Sequence, residues 1–348
     1  MKCIFCNDEI TSKNSSVEHI IPKFLGGKRV ITNVCKSCNN SIGGDFESVL
    51  SNDKLMSIVL SYYKMRLRSG AYILPKFTLK NDDYTYTFKS DEKGGIYLYS
   101  YVAEKITDHG FTVLIDTSES ESSREKIINK KIKKWNKKFG TEIPFYNENT
   151  KEKFPTYENH GLDKPAQFHF EFESHYLNKL FIKIAYEFVR SCLGSKYTFD
   201  DELESLKDTL KLDKTDFNKF LDNNKENFQY DLNTQKIVDC YYNVVESAKL
   251  NKILMQYNLP LIHPSNGEYL HRLLLLNNKG YLILFIDLFG IFSCKIIVSE
   301  NSEEYNFKEG KIAELIVGIK NNIHLNEFNS DYEYIKSNFN IWIVVENW

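Results

Sequence analysis

The chain's 348 residues exceed the ~100–200 of a typical domain, so two domains or one large α+β unit are expected. Forty-five Lys+Arg against 47 Asp+Glu leave a formal charge of −2, which excludes a uniformly basic nucleic-acid coat and a highly charged disordered chain. No run approaches the ~20 apolar residues of a membrane span, and Met1–Cys6 lack the apolar core of a signal peptide, so a cytoplasmic chain with reduced thiols and no membrane partner is expected.

Four of the seven cysteines fall in the first 38 residues, as Cys3-x-x-Cys6 and Cys35-x-x-Cys38. Two such knuckles can aim four thiolates at one tetrahedral point, the arrangement of a structural Zn²⁺ site. The gap from Cys6 to Cys35 is longer than the 15–20 residues usual in a simple ribbon, so something is built between the knuckles. Cys192, Cys240 and Cys294 stand singly among apolar neighbours and read as small core residues. Within the insert, Val17 and Ile20-Ile21 form a β-prone stretch that Pro22 ends, Gly26-Gly27 permits a turn, and Val30-Ile31 begins a return strand. After Cys38 come Asn39-Asn40, and apolar residues resume at helical spacing with Phe46, Val49 and Leu50. The expected local fold is strand, loop, strand, helix, clamped across its base by zinc.

Glu18-His19-Ile20-Ile21-Pro22, Gly26-Gly27, Asn33 and Cys35-x-x-Cys38-Asn39-Asn40, in this order between two knuckles, resemble the HNH endonuclease family in its zinc-clamped ββα-metal form. The likeness covers about the first 50 residues, roughly a seventh of the chain. It implies phosphodiester hydrolysis with His19 as general base, a role that suits an imidazole of unperturbed pKa near 6.5. It also implies Glu18 and Asn39 as ligands of a single Mg²⁺ or Mn²⁺, a hard cation that takes oxygen donors, and Asn33 as the residue orienting the loop that holds the base. Glu18 stands where many relatives carry Asp, and Asn40 is the alternative ligand to Asn39. Zinc-dependent binding of nucleic acid without cleavage is the competing reading.

Beyond Leu50 no linker is visible. Leu55–Tyr63 reads as a helix, followed by the cations Lys64, Arg66 and Arg68. Residues 84–88, 96–101 and 111–115 alternate like antiparallel strands, with turns at 81–83 and 94–95. Arg124–Lys138 carries eight cations against Glu125, with Ile128, Ile132, Trp135 and Phe139 on one face. Either it tracks phosphates through Lys130, Lys131, Lys134 and Lys138, jointly with Lys23, Lys28 and Arg29 of the insert, or it is a solvated lysine face. Residues 174–193 form the clearest helix, core scaffold begun by Ser174 and ended by Gly194. Polar helices are expected over 200–221 and 236–257. From His271 the pattern turns to β, with strands at 273–276, 281–286 and 291–298 and a sheet packed on the 174–193 helix.

His109, His160, His169, His175, His263, His271 and His324 show no metal spacing and read as structural or exposed. The expectation is an α+β chain: a nuclease module over 1–54, then an α+β recognition or regulatory region over 55–348, divided near 165. The partners expected by resemblance are DNA, with RNA open, a second copy of the chain, and an activating ligand or protein. Modules of this kind joined to a larger region resemble bacterial restriction and antiviral defence effectors.

Overall fold

The computed structural model describes residues 1–67, 69–75, 84–107, 110–115, 120–153, 167–168, 172, 174–194, 201–256, 260–261, 269–305, 309–318 and 342–343. The expected turn at 81–83, Arg68, and His109, His160, His169, His263 and His324 lie outside these residues. The chain divides into two compact units, one of residues 1–75, 171–245 and 263–327, the other of 76–170, 246–262 and 328–348. Helices and antiparallel sheets are both present in quantity, so the α+β class holds.

In the first unit, β1 (Glu18–His19) pairs antiparallel with β2 (Val30–Ile31), Glu18 opposite Ile31 and His19 opposite Val30. The helix that follows is α1 (Lys36–Ile42), continued through a π turn (Gly43–Glu47) into α2 (Ser48–Asn52). Cys35 caps α1, its sulfur accepting the Cys38 N–H, so a zinc-type knuckle and a helix start are the same structure. Asp53 caps α3 (Lys54–Tyr62) by accepting the Met56 N–H at 2.8 Å, and Leu55 to Ser61 are all buried. Of the apolar positions expected after the knuckle, Phe46 and Leu50 are buried while Val49 is exposed.

The scaffold of this unit is α5 (Ser174–Leu193) and a five-stranded antiparallel sheet. The sheet orders β11 (Gly310–Gly318), β8 (Tyr269–Asn278), β9 (Tyr281–Leu288), β10 (Phe292–Ser299) and β7 (Phe228–Leu232). Leu275, Leu284 and Ile296 form one cross-strand row, all buried, and burial alternates along β8 and β10 as period-two side chains require. The expected strands are present: β8 is ten residues where four were expected, β9 is two residues longer, and β10 has the expected length shifted by one. Edge strands β7 and β11 were not expected; β7 reads Phe-Gln-Tyr-Asp-Leu, too polar to signal a strand alone. Two short helices, α6 (Asp201–Thr209) and α7 (Lys214–Asn223), fill the polar stretch expected to be helical, and α8 (Thr234–Gln256) follows β7.

The second unit contains the meander β3 (Tyr84–Ser90), β4 (Ile96–Thr107) and β5 (Gly110–Ile115), antiparallel throughout. Asp91 accepts the Lys93 and Gly95 N–H groups to close the first hairpin, with Gly94 left-handed at φ 88°. The lysine-rich helix is α4 (Glu121–Phe139), capped by Ser120 and ended by left-handed Gly140. Ile132 and Trp135 are buried as expected, but Phe139 is 48% exposed and leans on the Trp135 ring at 4.2 Å. A short parallel pair joins β6 (Gln167–Phe168) to β12 (Trp342–Ile343).

Candidate metal and nuclease site

The four early cysteines converge. Their sulfurs all lie within 4.8 Å of one another, and Cys6 Sγ stands 3.7 Å from Cys35 Sγ. Zinc bound at about 2.3 Å to four sulfurs sets a tetrahedral edge of about 3.8 Å, so the spacing fits the ion. The Cys35 N–H donates to Cys3 Sγ at 3.3 Å and the Cys38 N–H to Cys35 Sγ at 3.5 Å, bonds that favour sulfur as thiolate. Burial raises Cys6 to about 11 and Cys38 further, whereas the Cys35, Cys6 and Phe5 amides overcome burial and draw Cys3 below the ordinary thiol range. Four sulfurs gathered this closely become thiolates together only around a cation, which suits a soft divalent ion.

The clamp positions the insert. The Ile4 N–H donates to the Asn33 carbonyl at 2.9 Å, which ties the first knuckle to the end of β2. Asn33 is half-buried, and its Oδ1 has no hydrogen-bond partner among the described residues. Asn39, one residue past the last knuckle cysteine, donates through Nδ2 to Ser16 Oγ at 3.2 Å and to the Val17 carbonyl at 3.3 Å. Ser16 Oγ donates in turn to the Val34 carbonyl at 2.7 Å. The Asn39 side chain is thereby tied to the residues leading into β1, with its Oδ1 end outside those bonds; Asn40 is exposed.

His19 is half-buried on β1. Burial depresses its pKa, opposed by Glu18 and reinforced by Lys23 and Lys183, so the imidazole is neutral near pH 7. Lys23, Lys28 and Arg29 are exposed on the loop between β1 and β2. Of the other predicted cations, Lys130, Lys134 and Lys138 are exposed on α4 and Lys131 is half-buried there. The two groups belong to different compact units.

The glycine pair does two different jobs. Gly26, at φ 91°, ends the 3₁₀ turn Lys23–Leu25 in the left-handed region. Gly27 sits against backbone: a methyl group there would overlap the Ile21 carbonyl oxygen and lie 2.6 Å from its carbon. From the other side, buried His271 of β8 faces the Leu25 carbonyl through Nε2 at 2.7 Å and lies edge-on to Phe289. A carbonyl accepts only, so Nε2 carries the proton.

Sequence reading missed the most charged feature of the site. Glu18 is buried, and its Oε1 accepts a hydrogen bond from Lys183 Nζ on α5. The same ammonium lies 2.8 Å from Glu47 Oε1, 3.5 Å from Glu187 Oε2, and 3.3 Å from the His19 carbonyl, to which it donates. Burial alone would strip the proton from Lys183, but Glu187, Glu47 and Glu18 outweigh it and hold the ammonium charged. Glu187, wholly buried and repelled by the other two carboxylates, is raised well above the carboxylate range in spite of Lys183. The 174–193 helix is therefore more than a one-faced scaffold, since Asn178, Lys179, Lys183 and Glu187 are buried along with its apolar face. The signal available was Lys183 and Glu187 at i, i+4 in a helix with few exposed positions.

Residues 3–55 match the family model described as HNH endonuclease. Together with the four-cysteine cluster, this segment fits a zinc-clamped HNH module, and it supports a nuclease-type function. No curated protein and no solved structure matches the chain. Among the described residues, no helix is long and apolar enough to cross a membrane.

Proposed function

We propose that the chain is a metal-dependent HNH endonuclease that hydrolyses phosphodiester bonds in DNA, with His19 as general base. The observation that carries this reading is that Glu18 and His19 share β1 while the Asn39 amide is bonded to Ser16 and Val17 at its entry. Glu18 and Asn39 Oδ1 are the residues that would hold Mg²⁺ or Mn²⁺, oxygen donors of the right type for a hard cation. Such an ion supplies charge neutralisation at the phosphoryl group. Asn39 is preferred over Asn40 because its amide is anchored and Asn40 points to solvent. The imidazole of His19, kept neutral by partial burial, takes the proton of the attacking water. Asn33 acts through backbone, its carbonyl tying β2 to the first knuckle. Zinc on Cys3, Cys6, Cys35 and Cys38 holds this arrangement together without touching substrate.

Lys23, Lys28 and Arg29 are assigned to the phosphates nearest the cleaved bond, and Lys130, Lys131, Lys134 and Lys138 of α4 to more distant ones. The larger region past residue 55 is assigned target recognition or activation, in keeping with restriction or antiviral defence in the cytoplasm. A second copy, an activating ligand or a protein partner would then set when it cuts, and cleavage of both strands would call for the second copy.

The test is plasmid cleavage by the full chain with Mg²⁺ or Mn²⁺, beside His19→Ala at equal zinc content. Loss of a general base lowers the rate by roughly 10²–10⁴. Equal cutting by both proteins rejects His19 as the base. A competing reading, zinc-dependent DNA binding without cleavage, draws on the burial of Glu18 against Lys183. It predicts retention of DNA by both proteins and no product from either.

A further inference from the structure

Lys183 lies far outside the segment that matches the nuclease family, yet its ammonium reaches both residues of β1. It donates to Glu18 Oε1 and to the His19 carbonyl, and pairs with Glu47 at the end of the π turn. The side chain is 2% exposed and Glu187, one turn along α5, is 0% exposed. Neither oxygen of Glu187 has a hydrogen-bond partner among the described residues. Three carboxyl groups thus converge on one ammonium, and an ion-pair count leaves the cluster an excess of acid.

That excess has a consequence for a divalent ion. Glu18 and Asn39 offer it one carboxylate and one amide, whereas Glu18, Glu47 and Glu187 would offer three carboxyl groups. Without a resident positive charge, the deeper acidic set would be the stronger chelator and would draw the ion away from the Asn39 side of Glu18. We propose that Lys183 is a positioning residue of the nuclease centre. It is a built-in cation that fixes Glu18 Oε1 and the β1 backbone and denies the divalent ion the deeper site. The inference rests on the reading of Glu18 as a metal ligand. A lysine suits the task because its charge is compact and sits on a long stem that reaches from α5 to Glu18 and Glu47.

A salt bridge that merely docks α5 would make a different prediction. Its removal would lower stability and leave the metal affinity of the folded protein unchanged. Removal of a competing charge that contacts Glu18 should instead tighten metal binding by about tenfold, because like charges repel strongly at low local dielectric. The same change should slow cleavage, since the ion would sit in the wrong place.

The experiment titrates zinc-loaded full chain with Mn²⁺, free Mn²⁺ being read by electron paramagnetic resonance, and measures plasmid cleavage on the same samples. The proteins are wild type, Glu18→Gln, Lys183→Met, Lys183→Arg and the double variant Lys183→Met/Glu187→Gln. The double variant removes a buried acid with the ammonium, and it is read in place of Lys183→Met if that protein does not fold. Expected are Mn²⁺ binding by wild type that Glu18→Gln abolishes, and binding by Lys183→Met about tenfold tighter with cleavage about tenfold slower. Lys183→Arg should stay within about threefold of wild type in Mn²⁺ affinity, because the charge is kept. Unchanged or weaker Mn²⁺ binding by Lys183→Met overturns the inference while leaving Glu18 as a ligand. Wild type and Glu18→Gln binding Mn²⁺ alike, or not at all, overturns the ligand role of Glu18 and this inference with it.

Discussion

The first 55 residues and the α5–sheet scaffold of the same compact unit are built on opposite terms. In the N-terminal segment the strands are two residues long and α1 buries none of its side chains. In α5, 15 of 20 residues are buried, and the adjoining antiparallel sheet has five strands. Burial at about 25 cal/mol per Å² can hold the second region, while in the first it is confined to a smaller set that includes Ile4, Phe5, Ile20, Ile21, Leu25, Val34, Phe46 and Leu50. What orders the segment is cross-linking: four sulfurs on one centre, then bonds from distant elements. Tyr186 of α5 donates to the Ile4 carbonyl and packs tilted against Phe5 with ring centroids 5.1 Å apart, Lys183 holds β1, and His271 reaches the Leu25 carbonyl.

The sharpest way to break that contrast is to remove the metal clamp. Structural zinc in small modules contributes about 10 kcal/mol or more of apparent binding energy, much of it folding energy. Cys35→Ser should therefore release zinc and strip amide protection from residues 3–47, while β8, β9 and β10 keep theirs in hydrogen exchange. Protection that survives over residues 3–47 in the metal-free variant would show that burial suffices there after all.

A smaller effect tests the loop between the strands. Gly27→Ala places a methyl group against the Ile21 backbone, which cannot retreat as a side chain could. The cost should be about 3 kcal/mol, expressed in the segment and not in the sheet. Gly26→Ala should also be strained, by its positive φ, although its nearest neighbour is the flexible end of Met65. A Gly27→Ala protein with wild-type stability would remove close approach as the reason for that glycine.

The third prediction concerns pH. Burial takes His271 down to about 4 from an ordinary 6.5. A group with a depressed folded-state pKa binds its proton more tightly when unfolded, so its contribution is full above pH 6.5 and is lost as pH falls toward 4. The difference amounts to at most about 3 kcal/mol, at 1.36 kcal/mol per unit. His271→Gln can still donate to the Leu25 carbonyl but cannot titrate. Denaturant midpoints taken from pH 7 to pH 4 should therefore fall less for the variant than for the wild type. Parallel curves would exclude His271 as a source of acid sensitivity.

The two regions also differed in what their residues disclosed. The knuckle cysteines were readable in the segment because ligand chemistry fixes residue type and spacing together, while Glu18-His19, Asn33 and Asn39 were marked out by the family resemblance alone. Helix α5 and strands β8 to β10 were readable because apolar periodicity marks a buried face. What escaped was the join. Lys183 and Glu187 look like ordinary solvated positions until the Glu18 strand is laid across them, and nothing in local pattern links residues 165 apart. Edge strand β7 escaped for a related reason: Phe-Gln-Tyr-Asp-Leu owes its state to the open hydrogen bonds of β10 and not to its own composition.

The 165 residues between Glu18 and Lys183 also set an order of events in the cell. At roughly 5–20 residues per second, about 10–30 s separate the synthesis of β1 from that of the lysine that holds it, and β8 with His271 comes later still. The nascent chain thus carries the Glu18–His19 strand before it carries the residues that fasten it.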